Sequence, residues 1–356
     1  MLSRENYTKA HIEKMRTLTG ADPSILERTI FAFGLLEAIK SVGLSFVFKG
    51  GTSLLLLLNA PRRLSTDIDI IVAPGTDIDA AIAQAGTIFP FLSVEEDVHQ
   101  GLNDIVKRHF RFKFLSPRTE KEICVLLDVV FERCPYQYTT QSPIRSYFLL
   151  CDGEPLFVTT PDKNCILGDK LTAFAPHTTG IRIGIGKDME VIKQMFDCWT
   201  LCREIDNYQA VAETFQRVAK IELGYRGLTI TSQAVLLDTI ESCICIMGRN
   251  GIRPEDYQSF AAGINSLQGH IFNGRLNGEN AGMMTCEIMY LATCLLTGQE
   301  EYDRIINPEP YHCEILTIKG AKRIRYIQNV DPLVYAYLVK SFQMLQAAGY
   351  FTESIL

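Results

Sequence analysis

Hydrophobic and polar positions divide the chain into two parts with different periodicities. Up to about residue 205, alternating patterns typical of strands are interspersed with helical patterns, and beyond residue 206 helical periodicity dominates. The predicted strands are 45–48, 67–72, 107–115 and 122–132, and the predicted helices of the first part are 25–42, 160–174 and 187–203. The helices predicted beyond it are 208–223, 232–249, 254–267, 282–296 and 330–348. This pattern predicts an α+β (mixed α/β) fold, with a mixed sheet flanked by helices in residues 1–205 and an all-α domain in residues 206–356.

Three aspartates occupy notable positions in the predicted strands. Asp67 and Asp69 are two residues apart, so their side chains project from the same face of a strand. Asp128 lies within an apolar strand, where a carboxylate is costly unless it is paired or bound to a cation. Mg²⁺ prefers carboxylate oxygens, and two such ions can neutralise a triphosphate where its bonds break. Asp67, Asp69 and Asp128 therefore predict a site for two Mg²⁺ ions.

A glycine pair joins the first predicted strand to a leucine-rich helix. In Gly50-Gly51-Thr52-Ser53, the glycines allow close approach of a phosphate, and the start of the helix offers free amide groups. Thr52 is predicted to cap this helix. The segment matches neither the P-loop nor the dinucleotide-binding motif. An ordinary tight turn is the alternative interpretation, but the neighbouring aspartates favour a phosphate site.

Composition narrows the classes of function. The chain has 356 residues, 47% of them hydrophobic, which is enough for two folded domains. Its net charge of −6 excludes the overall basicity of many nucleic-acid-binding proteins but permits a local basic patch. The candidates for such a patch are Arg62, Arg63, Lys107, Arg108, Arg111 and Lys113, with Lys319, Lys322, Arg323 and Arg325 further on. An equally good interpretation of these residues is a solvated strand face.

The distribution of apolar residues and cysteines suggests where the protein acts. The polar start has no apolar signal region, and the longest apolar stretches are too short or too interrupted to span a bilayer. The eleven cysteines contain no C-x-x-C pair and are predicted to be buried thiols. The prediction is a cytoplasmic protein that makes no contact with membranes.

Several of these motifs together resemble a known family. The strings Lys49-Gly50-Gly51-Thr52-Ser53-Leu54 and Arg63-Leu64-Ser65-Thr66-Asp67-Ile68-Asp69 resemble the signature of the AbiEii/AbiGii nucleotidyltransferase toxins, within the DNA polymerase β-like superfamily. The segments 169–174, 187–188 and 196–197 resemble that family's downstream motifs, so the resemblance covers about residues 45 to 205. One departure is the extra stretch between Asp188 and Asp197, which leaves open which of the two takes the family's downstream acidic position.

The resemblance implies roles for individual residues. The metal ligands would be Asp67, Asp69 and Asp128, which would be catalytic together with Lys170, and Asp128 would also be a candidate base. Lys170 lies at helical spacing from Leu167 and Phe174, on the side expected to face the sheet, although it could also extend to solvent. No histidine is proposed as catalytic, and His109 is placed on the wet face of its strand. The implied nucleotide-binding residues are Lys49, Gly50, Gly51, Thr52, Ser53, Arg63, Lys170 and Asp188.

The implied activity is Mg²⁺-dependent transfer of a nucleoside monophosphate from a nucleoside triphosphate to an acceptor hydroxyl. Kinship further implies the toxin of a toxin-antitoxin or phage-defence (abortive infection) system, with RNA such as tRNA as acceptor and a cognate antitoxin as partner. Two alternatives stay open. One is a catalytically silent nucleotide-binding module that docks a partner protein, and the other is an enzyme that modifies a protein or small-molecule hydroxyl.

Overall fold

A computed structural model describes residues 1–97, 106–272, 274–314, 316 and 321–350. Lys319, one of the predicted basic residues, lies outside this description. The chain divides into two compact units. The sheet unit comprises Met1–Asp162 and Gly269–Arg275, and the helical unit comprises Lys163–Gln268 and Leu276–Leu356. The predicted domain boundary near residue 205 stays a prediction, whereas the compact units divide after Asp162.

Seven strands in the described residues form one mixed sheet, in the order β3-β4-β5-β2-β1-β7-β6. β1 and β7 run parallel, as do β2 and β5, and the other neighbouring pairs are antiparallel. The strands are β1 (Val47–Lys49), β2 (Asp67–Val72), β3 (Ser93–Glu96), β4 (Lys107–Leu115), β5 (Glu122–Phe131), β6 (Thr139–Pro143) and β7 (Phe157–Pro161).

One face of the sheet is buried, because apolar residues alternate with polar ones along its central strands. Ile68 and Ile70 of β2 and Leu127 of β5 are fully buried, whereas the aspartates between them are only partly covered. Helix α2 (Pro23–Ser41) is buried along most of its length, and Phe31 stacks on Phe114 of β4. The other helices of the sheet unit are α1 (Lys9–Thr19), α3 (Gly50–Leu57) and α4 (Asp79–Ala85).

The helical unit consists mainly of long amphipathic or buried helices. Its helices are α5 (Lys163–Ala173), α6 (Asp188–Cys202), α7 (Tyr208–Tyr225), α8 (Ser232–Gly248), α9 (Pro254–Leu267), α10 (Gly278–Leu296), α11 (Ala321–Ile324), α12 (Tyr326–Val330) and α13 (Pro332–Ala347). α8 and α10 pack against each other, as do α5 and α7. Across the described residues, none of the helices is both long and apolar enough to cross a membrane.

The mixed α/β fold with a helical C-terminal region is confirmed, and two local predictions are wrong. Thr160-Pro161 does not start a helix, because these residues end β7 and α5 begins at Lys163. Thr52 does not cap α3, because that helix begins at Gly50 and Thr52 lies inside its first turn. The Thr52 hydroxyl instead donates a hydrogen bond to the carbonyl of Asp67, 2.6 Å away, and so ties α3 to β2.

Candidate functional site

The predicted carboxylates lie on the open face of the sheet, in neighbouring strands. Asp69 of β2 is the register partner of Asp128 of β5, and Asp67 lies two residues before Asp69 on the same face. Adjacent strands are only about 4.8 Å apart, so this register places the two backbone positions side by side. Asp128 keeps 37% of its side chain exposed, which leaves its carboxylate accessible to a ligand.

The same register line continues across two further strands. Lys49, at the end of β1, is the partner of Asp69, and His109 of β4 is the partner of Asp128. Residues paired in this way project from the same face of a sheet. Lys49, Asp69, Asp128 and His109 therefore form a polar row across β1, β2, β5 and β4, with the acidic residues in the middle.

The glycine pair lies directly against this row. Gly50 has a φ of +78°, and a Cβ atom added there would come 2.0 Å from Oδ2 of Asp69. Only glycine fits this combination of left-handed backbone and close approach. The first turn of α3 therefore brings its amide groups beside the Asp69 carboxylate, and amides at the start of a helix have no partner within the helix. The hydroxyl of Ser53 donates to the carbonyl of Gly50 across 2.8 Å, within this turn.

Arg63 lies against the other glycine of the pair. A Cβ atom at Gly51 would come 2.4 Å from Nη2 of Arg63. Arg63 is 7% exposed, and its Nη1 donates to the carbonyl of Leu64 across 3.1 Å. A later part of the chain supports this segment, because Arg63 forms a β-bridge with Ile271 and the amide of Leu64 donates to the carbonyl of His270 across 2.7 Å. The guanidinium is thus held beside the predicted phosphate turn.

His109 is a functional candidate that the sequence prediction missed. Its Nδ1 lies 2.6 Å from Oδ1 of Asp128, and the side chains of both residues are 37% exposed. The placement of His109 on the open face was correct, but its contact with Asp128 follows from the pairing of β4 with β5. The available signal was the alternation of His109 with Phe110 and Phe112, which fixes the face but not the register.

The donor chemistry of this face fits a hard cation, although the side chains do not yet converge on one point. Mg²⁺ takes oxygen ligands, and Asp67, Asp69 and Asp128 offer carboxylates from two adjacent strands. Within the ranges that the structure describes, no three His, Cys, Asp or Glu side chains are placed to hold a metal ion. The Asp128 carboxylate turns towards His109, and the Asp69 carboxylate lies against Gly50. Joint binding of an ion would require these carboxylates to turn towards each other.

Lys170 belongs to the helical unit, where it has an acidic partner. Its Nζ lies 2.9 Å from Oδ2 of Asp197 and donates to Oε1 of Gln194 across 2.7 Å. The side chains of Lys170 and Asp197 are only 10% and 2% exposed, so the pair joins α5 to α6 in a buried environment. The anion expected beside this lysine is thus supplied, at least in part, by Asp197. A role for Lys170 in binding nucleotide stays a prediction.

Asp188 has a different environment from Asp197. It is the first residue of α6, is partly exposed, and accepts a hydrogen bond from the amide of Gly184 at 3.1 Å. Only Asp197 of the two contacts Lys170 within the described residues. Lys170, from the motif 169–174, is thus paired with Asp197, from the motif 196–197. The nucleotide-binding role predicted for Asp188 stays a prediction.

The basic residues of β4 face acidic residues of β3 and α4. Nε and Nη2 of Arg108 donate to the two carboxylate oxygens of Glu96, each across 2.7 Å, and Nη1 donates to Asp79 across 2.6 Å. Arg111 pairs through its Nη2 alone with Asp97, the residue that follows β3. The hydrogen bonds from Arg108 are the main cause that lowers the pKa of Glu96 below its ordinary range. On β4, these contacts match a solvated strand face better than a nucleic-acid groove.

Comparison with known proteins identifies the family of this chain. The model of the family described as "Nucleotidyl transferase AbiEii toxin, Type IV TA system" matches residues 35–270. The chain therefore belongs to the AbiEii nucleotidyltransferase toxin family of type IV toxin-antitoxin systems, and this membership implies an antitoxin partner. A comparison with curated proteins gave no match. Among solved structures, the chain is similar to JHP933 from Helicobacter pylori, with a TM-score of 0.46 and 14% identity over 77% of this chain and 94% of that one.

Proposed function

We propose that the chain transfers a nucleoside monophosphate from a nucleoside triphosphate to an acceptor hydroxyl in a Mg²⁺-dependent reaction. The observation that carries this proposal is the position of the Gly50 turn against Asp69, whose register partner is Asp128. This arrangement sets helix amides and carboxylates side by side. Amides bind phosphate oxygens, and carboxylates bind the cations that a polyphosphate needs.

The roles of individual residues follow from their positions. The amides of Gly51, Thr52 and Ser53 bind the triphosphate, and Lys49 and Arg63 add positive charge beside it. Asp67, Asp69 and Asp128 would hold Mg²⁺, which would supply positive charge beside the pyrophosphate leaving group.

The reaction forms one bond and breaks one. The acceptor oxygen bonds to the α-phosphorus, and the bond from that phosphorus to the oxygen that bridges it to the β-phosphorus breaks, so pyrophosphate leaves. Asp128 is the candidate that accepts the proton of the acceptor hydroxyl, because its carboxylate is half-exposed on the same face. His109 fixes the orientation of that carboxylate through its hydrogen bond. We further propose RNA as acceptor, with the 3′ end of tRNA as the first to test, on the ground of family kinship.

The test follows radioactive label from each of four α-labelled nucleoside triphosphates. The full chain is incubated with Mg²⁺ and either total cellular RNA or lysate, and pyrophosphate release is measured in parallel. We expect label on RNA, and we expect the double variant D67N/D69N to lose at least about a hundredfold in rate. The matched control is D152N, which changes an exposed aspartate of the same unit.

Three outcomes would contradict parts of the proposal. Equal rates for D67N/D69N and the wild type would eliminate the assigned site. Label on a protein or a small molecule would show that this molecule, and not RNA, is the acceptor. Nucleotide binding without pyrophosphate release across all acceptors would indicate a silent binding module instead of an enzyme.

A further inference from the structure

A cavity of about 450 Å³ lies wholly within the helical unit. This volume is in the range of small-molecule sites. Part of its wall is apolar or aromatic and comes from Trp199 of α6, Met283 and Met284 of α10, and Tyr337 of α13. The cavity also has polar side chains of both charges, which the proposed nucleotidyl transfer does not use.

Two acidic residues line the cavity, Asp331 and Glu287. Asp331 already accepts hydrogen bonds from the amides of Leu333 and Val334 at the start of α13, whereas Glu287 has a side chain that is only 13% exposed. Its Oε1 accepts a hydrogen bond from Nε1 of Trp199 at 3.0 Å. The cation nearest to Oε2 is Nε of Arg203 at 4.0 Å, which is too far for a hydrogen bond, and no other described residue donates to Oε2. Burial is the main cause that raises the pKa of Glu287. The Glu287 side chain is largely covered, and its Oε2 accepts no hydrogen bond from a described residue, so this position favours a ligand with an N–H group.

The basic groups are the guanidinium groups of Arg203, whose nearest carboxylate is that of Glu287 at 4.0 Å, and of Arg304. Arg203 lies over the ring of Trp199, with 5.4 Å between its Cζ and the ring centroid. Nη2 of Arg304 donates to the carbonyl of Ile205 across 3.0 Å, and Arg304 forms no salt bridge with any residue that the structure describes. Two guanidinium groups suit a doubly charged phosphate monoester, which they can bind with charge-assisted hydrogen bonds.

We propose that this cavity is a nucleotide-binding pocket separate from the triphosphate site of the sheet unit. The base lies against the aromatic and apolar wall and donates an amino or imino hydrogen to Oε2 of Glu287. Its phosphate binds Arg203 and Arg304. An amino acid would offer only one negative charge to two guanidinium groups, and a basic peptide side chain would bring a third cation beside them. A free nucleotide and a nucleotide at the end of an RNA share the required chemistry, and the pocket does not depend on the proposed transfer activity.

Calorimetry on the full chain tests this assignment in the presence of EDTA, which suppresses metal-dependent triphosphate binding. The ligands are the four nucleoside 5′-monophosphates, the corresponding nucleosides, and a short oligonucleotide with a 5′-phosphate. We expect saturable binding of at least one monophosphate, tighter than that of its nucleoside. Tighter binding of the oligonucleotide than of any monophosphate would identify an RNA end as the source of the ligand.

Two variants separate the contributions of base and phosphate. E287Q keeps an acceptor for Trp199 but removes the carboxylate, and it should weaken both monophosphate and nucleoside by about tenfold. R304Q changes an exposed side chain and should weaken the monophosphate by about fivefold while it leaves the nucleoside unchanged. The control E309Q, at an exposed glutamate of the same unit, should bind as the wild type does.

The assignment is wrong if no monophosphate binds saturably, or if E287Q and R304Q bind all ligands as the wild type does. It is also wrong if D67N/D69N abolishes monophosphate binding, because the ligand would then occupy the sheet unit. Thermal unfolding of each variant shows whether it folds. If E287Q is unstable, R304Q still tests the assignment, because Arg304 is exposed and its replacement should not disturb folding.

Discussion

Asp128 and Asp197 are both aspartates with a basic neighbour, yet their surroundings differ. Asp128 shares the open face of a sheet with His109, and both side chains are 37% exposed. Asp197 is paired with Lys170 between two helices, and the side chains are 2% and 10% exposed. Access to solvent is the physical difference. A ligand can reach Asp128 without unfolding the protein, whereas Asp197 contributes first to the packing of α5 on α6.

The largest effect is expected from disruption of the buried pair. K170M removes the cation beside Asp197, and loss of one member of a buried ion pair typically costs about 3–5 kcal/mol of the free energy of unfolding. The double variant K170M/D197L should recover most of this loss, because apolar residues can replace such a pair. Urea unfolding measures both. A loss below about 1 kcal/mol in K170M would contradict a structural role for the pair. A double variant that folds but is inactive would show that the pair also acts in nucleotide transfer.

A somewhat smaller effect is expected at the turn beside the open face. In G50A, the methyl group would lie where the Asp69 carboxylate is, and the left-handed backbone adds strain, so stability should fall by about 1–3 kcal/mol and transfer activity should be lost. G20A is the matched control, because Gly20 has a φ of +66° but no atom within 4 Å of an added Cβ. If both variants keep full transfer activity, the turn does not form the phosphate site.

His109 tests whether contact with Asp128 matters for chemistry. H109A should lower kcat by about 10–100-fold, as is typical when a residue that orients a metal ligand is lost, with little change in the KM for the triphosphate. H109N can still donate a hydrogen bond and should recover part of the activity. A purely structural histidine would instead lower the thermal unfolding temperature and leave kcat of the folded protein unchanged.

The smallest effect is expected from the ion pairs of β4. A double-mutant cycle on Arg108 and Glu96 should give a coupling of about 1 kcal/mol or less, because both side chains are near the surface. The pKa of Glu96 is lowered in the folded state, so this coupling is present at neutral pH and is lost as pH falls through that lowered pKa. R108Q should change RNA affinity less than twofold. A larger loss of RNA affinity would indicate that β4 forms part of a nucleic-acid groove.

Local patterns predicted the parts of the fold that depend on local sequence. The bounds 67–72 and 107–115 agree with β2 and β4, because strict alternation of polar and apolar residues identifies a half-buried strand. β6 was missed because Thr139–Pro143 is short and largely polar. Thr160-Pro161 has the composition of a helix start, and its role in β7 is set by pairing with β6 and β1.

The sequence was sufficient to predict which residues form the candidate site, but not which of them contact each other. The positions of Asp67, Asp69 and the glycine pair follow from local spacing. The contacts of His109 with Asp128 and of Lys170 with Asp197 join residues 19 and 27 positions apart, and each depends on how two separate elements pair. Periodicity fixes the face of an element but not its register with a neighbour.

The return of residues 269–275 to the sheet unit has a consequence for synthesis of the protein. The amide of Phe272 donates to the carbonyl of Arg62, and Ile271 bridges Arg63, so the support beside the glycine turn comes from a late part of the chain. A ribosome must translate past residue 275 before this support can form. A nascent or truncated chain that stops near residue 205 would contain every proposed catalytic carboxylate yet lack this support, so the segment beside the glycine turn could be completed only after most of the polypeptide has emerged.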